Sequence, residues 1–215
     1  HGNATFHGMP ASTLYSPAEP VSLSATLRPL RRGYGDPTFR TDVAGVWRTV
    51  QTAHGGATLR LTRTSEGIAA TAWGPGAAWV IEGVPELLGS GDDWSELDVS
   101  SVPLLADSLR RNPGLRLTRT RQVFEMLVAA ILEQKVTGKE ARAGWRWLVG
   151  RHGEPAPGPA PEGMRVFPTA EVWRRIPSWE FHLANVDPGR ARTLVGCAQR
   201  ADALERLSAR PSEDA

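Results

Sequence analysis

The run Gln134-Lys135-Val136-Thr137-Gly138-Lys139 gathers a side-chain amide, two ammonium groups and a hydroxyl within a few positions. Thr137 and Glu140 have the Thr-x-x-Glu spacing of a capping box, in which side chains satisfy free backbone amides at a helix start. Lys139 then falls in the first helical turn, where unpaired amides and the helix dipole already favour anions, so the run suits a phosphate. The surrounding charge agrees: residues 109–152 carry ten Lys or Arg against three Glu, whereas residues 82–107 carry seven acids and no base. Charge segregated in this way fits a surface that faces phosphates. It equally fits a solvated turn between two helices, and the residues alone leave both readings open.

Elsewhere the 215-residue chain offers little catalytic chemistry. Cys197 is the single cysteine, which excludes a disulfide framework and any cysteine-held metal or iron–sulfur cluster. It stands among Leu194, Val195 and Ala198 in a helical pattern and reads as a packed apolar thiol rather than a nucleophile. His1, His7, His54, His152 and His182 are scattered without a close helical pair, so no metal and no cofactor is expected. No stretch approaches the roughly 20 apolar residues of a membrane span. His1 to Pro10 lacks the basic start and apolar run of an export signal, making the cytoplasm the expected location. Without export, the sequon Asn3-Ala4-Thr5 reads as accidental.

The elements that position the basic run divide the chain. Residues 1–20 read as a disordered or tag-like tail. Val21 to Leu27 alternates apolar and polar with period two, which predicts a strand with one buried face. Residues 46–52, 57–64 and 68–73 follow as short strands separated by His54-Gly55-Gly56 and Ser65-Glu66-Gly67, giving an antiparallel meander. Gly74-Pro75-Gly76 ends the sheet, and residues 77–88 turn helical until Pro85 breaks or kinks the last turn. An acidic linker over 89–101 separates this sheet domain, residues 21–100, from a helical domain, residues 101–215. The predicted class is therefore α+β.

Helices are predicted over 104–111, 120–134, 138–152, 170–176, 179–185 and 188–209, with the proline-rich stretch 153–163 as a loop. Asp187 before Pro188 places a capping acceptor ahead of a first-turn proline. In the last helix Ala191, Leu194, Val195, Ala198, Ala201, Leu204 and Leu207 form a core stripe, with Arg190, Arg192, Arg200 and Arg206 on or near the wet side. Val123 to Leu132 is apolar on nearly every face, as in the central helix of a bundle. The helix after it buries Ala141, Trp145, Leu148 and Val149 and exposes Arg142, Arg146 and Arg151. Trp145, Trp147 and Trp173 read as packing residues rather than an aromatic box, while Trp179 is not oriented by the sequence.

One combination is more specific: Asn112-Pro113-Gly114-Leu115-Arg116-Leu117, then Val123-Phe124-Glu125, then residues 130–137, with Ala141 beyond. In that order it resembles the alkylation-repair DNA-3-methyladenine glycosylases of the helix-hairpin-helix superfamily, strongly over residues 112–205 and weakly over the meander. The resemblance implies an N-terminal antiparallel sheet domain similar to half of the TATA-binding protein, followed by a partial all-α glycosylase domain. It implies a hydrolase of base-excision repair whose partner is double-stranded DNA with alkylated bases. Gln134, Lys135, Val136, Thr137 and Lys139 become its DNA-binding residues, Gln134 beside the extruded base and Lys135 where several members insert an apolar side chain. Lysine departs from that pattern, although its stem can fill a gap while its ammonium reaches a phosphate.

The family's glycine-rich Leu-Pro-Gly-x-Gly hairpin has no match, nor has its catalytic aspartate, which is expected beyond Ala215. Asp187, Asp202 and Asp214 are not assigned that role. A helical domain lacking these parts is expected to leave the 122–134 helix partly uncovered, favouring instability or dimerisation. The rival readings are a non-catalytic DNA-binding or regulatory protein that keeps the same wedge and basic face, and a helical protein that binds an acidic partner.

Overall fold

The computed structural model describes residues 9–94 and 97–209. Residues 1–8 of the expected tail, Ser95 and Glu96 of the expected linker, and the final residues 210–215 lie outside them.

Five antiparallel strands form one sheet: β1 (Ala11–Tyr15), β2 (Phe39–Asp42), β3 (Gly45–Thr52), β4 (Gly55–Arg63) and β5 (Ile68–Trp73), in the order β1-β5-β4-β3-β2. The three central strands are the predicted meander. In β5 the inward set Ile68, Ala70 and Ala72 alternates with half-buried residues, so one face is closed and the other is partly wet. Ala57, Leu59 and Leu61 of β4 line the same core with Val50 of β3. Helices α2 (Ala77–Glu82) and α3 (Val84–Leu87) cover it through Val80, Val84 and Leu87, and the break between them at Gly83 is the one Pro85 predicts. On the opposite face Trp47 and Trp73 stack at 5.8 Å with the Arg60 guanidinium 5.4 Å from both rings.

Two sheet expectations are corrected. The segment from Val21 to Leu27 is not a strand: Leu23–Leu27 forms helix α1, whose N-cap Ser22 accepts a hydrogen bond from the Ala25 amide. Leu23 and Leu27 are four residues apart, so a seven-residue alternation satisfies a helix face as well as a strand face. The choice is made by contacts far along the chain, because buried Thr26 donates to the Gly114 carbonyl and accepts from the Arg116 amide. The first strand lies instead at Ala11–Tyr15, within the expected tail, where it pairs with β5.

The helical region contains α4 (Pro103–Arg111), α5 (Val123–Leu132), α6 (Gly138–His152), α7 (Ala170–Arg175), α8 (Ser178–Leu183), α9 (Pro188–Gln199) and α10 (Ala201–Glu205). Phe124, Trp145, Phe167, Trp173 and Phe181 make its aromatic centre, with Phe167 within 5.7 Å of Phe124, Trp145 and Trp173. The sheet and the helices are joined by a buried ion pair, Arg48 of β3 to Glu125 of α5 at 3.2 Å. The expected 153–163 loop and its continuation also join them: Arg165 donates its amide to Pro37 at 2.7 Å and receives the Thr49 hydroxyl at 2.6 Å.

The predicted 188–209 helix is interrupted at Arg200, where φ is −113° and ψ 12°. The bend turns α10 back onto α5, and the Glu205 carboxylate accepts the Val123 and Phe124 amides at 2.9 Å each. These are free donors at the start of α5, which has no side-chain cap of its own at Gln122. Helix α5 is closely covered, with Phe124, Val128, Ala129, Ile131 and Leu132 buried and Ala130 its exposed position. That coverage removes the physical motive for the expected instability or dimerisation.

Candidate nucleic-acid interface

Helix α5 stops at Leu132, and α6 starts after the N-cap Thr137. The Thr137 hydroxyl accepts the Glu140 amide at 3.3 Å, and the Glu140 carboxylate accepts the Thr137 amide at 2.9 Å and its hydroxyl at 2.8 Å. The two bonds from Thr137 hold the Glu140 carboxyl below its usual range, so its charge serves the helix start. Between the helices, Gln134, Lys135 and Thr137 are exposed, Val136 is half-buried, and Lys139 stands exposed one step into α6. The five residues singled out from the sequence form one continuous projection.

Lys135 has φ 56°, the left-handed region that a side chain with a Cβ rarely occupies. Holding it there costs about 1–2 kcal/mol, which the surrounding structure must supply. Two arginines hold the turn. Arg190 of α9, with its side chain only 10% exposed, donates to the Leu132 carbonyl at 2.9 Å, the Asn185 carbonyl at 3.1 Å and the Asp187 carboxylate at 2.5 Å. It is a largely shielded fork rather than a solvated wet-side residue, which corrects its sequence reading. These bonds and the capped amides pull the Asp187 carboxyl down to about 2. From the sheet side, Arg32 pairs with Glu133 at 3.6 Å and lies 5.9 Å from the centre of the Trp145 ring.

Sequence reasoning missed both anchors. Arg190 sits three residues after the recognised cap Asp187, and that spacing is the one signal that could have found it. Nothing local marks Arg32. Its loop is fixed by fully buried Asp36, which accepts the Arg32 amide at 2.6 Å, the Thr38 amide at 2.9 Å and the Trp145 indole at 3.0 Å.

Lys135, Lys139, Arg142 and Arg146 make no ion pair with the described residues, whereas Arg48, Arg110, Arg111, Arg121, Arg151, Arg175 and Arg190 each do. The turn and the start of α6 therefore present cations that no described carboxylate pairs directly. An exposed, rigidly backed turn with this charge can press into a polyanion's groove and hold its phosphates.

The start of α5 has the reverse character. A cleft of about 810 Å³ opens there between the β3–β4 turn, Trp79, Phe167 and α10, lined by Glu125, Glu171, Asp202 and Glu205 together with Arg121 and Arg174. Burial pushes the Glu125 carboxyl up against the opposing pull of Arg48 and Arg32, and its Oε2 lacks a hydrogen-bond partner. The tryptophans form no box: Trp145 and Trp173 are buried, Trp147 donates to Glu180 at 3.1 Å, and Trp179 is 64% exposed. Cys197 packs half-buried against the helical core, as its neighbours imply.

No family model and no curated protein sequence matches the chain. Among solved structures it is similar to the 3-methyladenine DNA glycosylase of Archaeoglobus fulgidus, with a TM-score of 0.73 and 18% identity over 95% of this chain and 71% of that one. It is also similar to the 8-oxoguanine glycosylase/lyase of Clostridium acetobutylicum bound to double-stranded DNA, with a TM-score of 0.62 and 16% identity over 86% of this chain. The matched part spans 60% of that second protein, less than two thirds of its length. The apo form of the same protein gives a TM-score of 0.64 at 16% identity, over 91% of this chain and 67% of that one. At these identities the likeness establishes the fold: an antiparallel sheet followed by a helical region, arranged as in DNA glycosylases.

Proposed function

We propose that this chain is the sheet and wedge portion of a DNA N-glycosylase of base-excision repair, acting at the nucleoid in the cytoplasm and releasing alkylated purines of the 3-methyladenine type. The observation that carries the reading is the α5–α6 turn, where a buried helix ends in an exposed lysine at φ 56° with uncompensated cations beside it. Extruding a base from a duplex costs on the order of a few kcal/mol and leaves a gap to be braced. A turn backed by Arg190 and Arg32 loses little freedom when it meets that gap, so its binding energy goes into extrusion. In this reading the Lys135 stem fills the gap, Gln134 faces the displaced base, and Lys139 and Thr137 meet a phosphate at the start of α6. The alkylated-purine assignment is supported by the motif resemblance and by the likeness to the Archaeoglobus fulgidus protein over 95% of the chain. No described carboxylate is assigned to bond cleavage.

The test uses a duplex with 2-aminopurine beside a 3-methyladenine analogue. Binding of the 215-residue chain should raise the fluorescence as the base unstacks, and Lys135→Ala should abolish the rise. Salt-dependent binding with no fluorescence change would overturn the extrusion role. A second reading is a non-catalytic DNA-binding protein that keeps the same turn and basic face, consistent with Asp187 serving as the α9 cap and the Arg190 partner. Lesion-dependent extrusion without base release, measured on the longest form of the protein expressed by its source, would select it.

A further inference from the structure

The Leu30–Asp36 loop of the sheet region lies on the exposed face of α6 and meets the same turn. Two glycines permit the approach. At Gly33, φ is 83° and a Cβ would lie 2.4 Å from Arg142 Cδ; at Gly35, φ is 78° and a Cβ would lie 3.2 Å from Arg146 Cδ. The Arg146 guanidinium donates to the Tyr34 carbonyl at 3.3 Å. Arg142 runs from Gly33 toward Gly138, placing its Nη2 3.1 Å from where a Gly138 Cβ would stand at the start of α6. The loop and the wedge turn thus share one side chain as their boundary, and Arg32 ties them a second time through Glu133.

At the tip of this pinned loop Tyr34 is 91% exposed. Single exposed apolar residues are ordinary. This ring, however, is held by a backbone that buried Asp36 fixes with three amide and indole hydrogen bonds. Arg142 and Arg146 lie against its loop, Arg31 belongs to the same loop and Lys139 stands one turn before Arg142 on α6, and none of the four makes an ion pair with the described residues. An aromatic face set among uncompensated cations is the arrangement that holds a nucleic-acid strand, the cations tracking phosphates and the ring stacking on a base.

We propose that the Arg31–Gly35 loop is a second DNA-contacting element, in which Tyr34 stacks on an unstacked base of the strand whose phosphates Arg142, Arg146 and Lys139 hold. The proposal rests on the reading of the chain as a DNA-binding glycosylase portion. It moves the DNA footprint onto the sheet region, so strand contact spans two domains.

The 215-residue chain is titrated by fluorescence anisotropy against a duplex carrying an abasic analogue, at several salt concentrations. Tyr34→Ala should weaken binding about tenfold with the salt slope unchanged, while Tyr34→Phe retains wild-type affinity. Arg142→Gln should lower the salt slope by about 0.9, the value of one phosphate contact. Irradiation of a 5-iodouracil duplex should give an adduct that maps to Tyr34. Arg175→Gln serves as a control, since Arg175 is paired with Glu171 on α7. If Lys135→Ala weakens binding while Tyr34→Ala and Arg142→Gln stay within twofold and no adduct forms at Tyr34, the loop contact is overturned and the DNA-binding reading stands. If none of the three variants weakens binding, both fall. Thermal melts of Tyr34→Ala and Arg142→Gln that match the wild type exclude misfolding as the cause of a loss.

Discussion

The two ends of helix α5, about 15 Å apart for ten residues at 1.5 Å each, are built on opposite plans. At its start the central charges are engaged within the fold: buried Glu125 meets buried Arg48, and half-buried Glu205 returns from α10 to cap the first amides. At its end, Lys135 and Lys139 are exposed and unpaired with described residues, and the helix terminus is held by arginines brought from α9 and from the sheet. One end therefore spends its electrostatics on joining the two parts of the fold. The other keeps its positive charge available to a partner while using backbone carbonyls as anchors. The difference teaches that the function of a charge here follows from its compensation, since both ends contain similar residue types.

The strongest way to break the contrast is Arg48→Ala, which strands the buried Glu125 carboxylate and should cost about 3–5 kcal/mol in urea unfolding. Duplex affinity of the folded variant should not change. The loss should shrink as pH falls. Burial raises the Glu125 pKa above its ordinary 4.5, so a folded protein binds that proton more readily than the unfolded chain, and its contribution to stability declines as pH rises through the raised value. A loss that does not shrink on acidification would show that the cost of removing Arg48 is not set by the charge on Glu125.

Next in size, Glu205→Ala should remove the long-range cap of α5 and cost about 1 kcal/mol, again with DNA binding intact. Reduced DNA affinity in this variant would mean that the two ends are coupled through the helix.

Lys135→Gly reverses the pattern. Relief of the left-handed backbone should leave stability unchanged or raise it by up to about 1 kcal/mol, while the salt slope of duplex binding falls by about 0.9. A stability loss together with unchanged binding would make Lys135 a packing residue.

The smallest expected effect separates the ends by the sign of a pH response. Asp187, which orients Arg190 beneath the turn, has its carboxyl lowered from 3.8 to about 2. Its contribution is present above pH 3.8 and is lost as pH falls toward 2, opposite to Glu125. Asp187→Asn should flatten this part of an acid-unfolding curve; an unchanged curve would show that the Arg190 clamp is not what the carboxylate stabilises.

Local patterns made much of the fold legible. The meander strands follow from alternation and glycine turns, and α6 from its capping box, because each signal lies within a few residues. The α1 segment was misread because seven alternating residues fit either period, and Thr26 takes its partners from Gly114 and Arg116. Strands β1 and β2 were missed because their burial is irregular along the strand and their pairing is supplied by β5 and β3. At the candidate site, Gln134 to Lys139 could be named from the basic run and the motif order. Its anchors Arg190 and Arg32, and the neighbouring Tyr34, could not, because a side chain's partner across the fold leaves no periodic trace.

By itself, then, the sequence determined which segments are helical or extended wherever period and caps agree, the buried character of α5, and the polar, basic composition of the turn after it. Tertiary structure alone decided that the last predicted helix bends at Arg200 to bring Glu205 to the start of α5, and that the Arg190 side chain is tucked beneath the turn rather than solvated. It also decided which cations remain uncompensated. Periodicity and capping are local energies of a few neighbouring residues, whereas charge compensation depends on which distant groups the packed chain brings within reach.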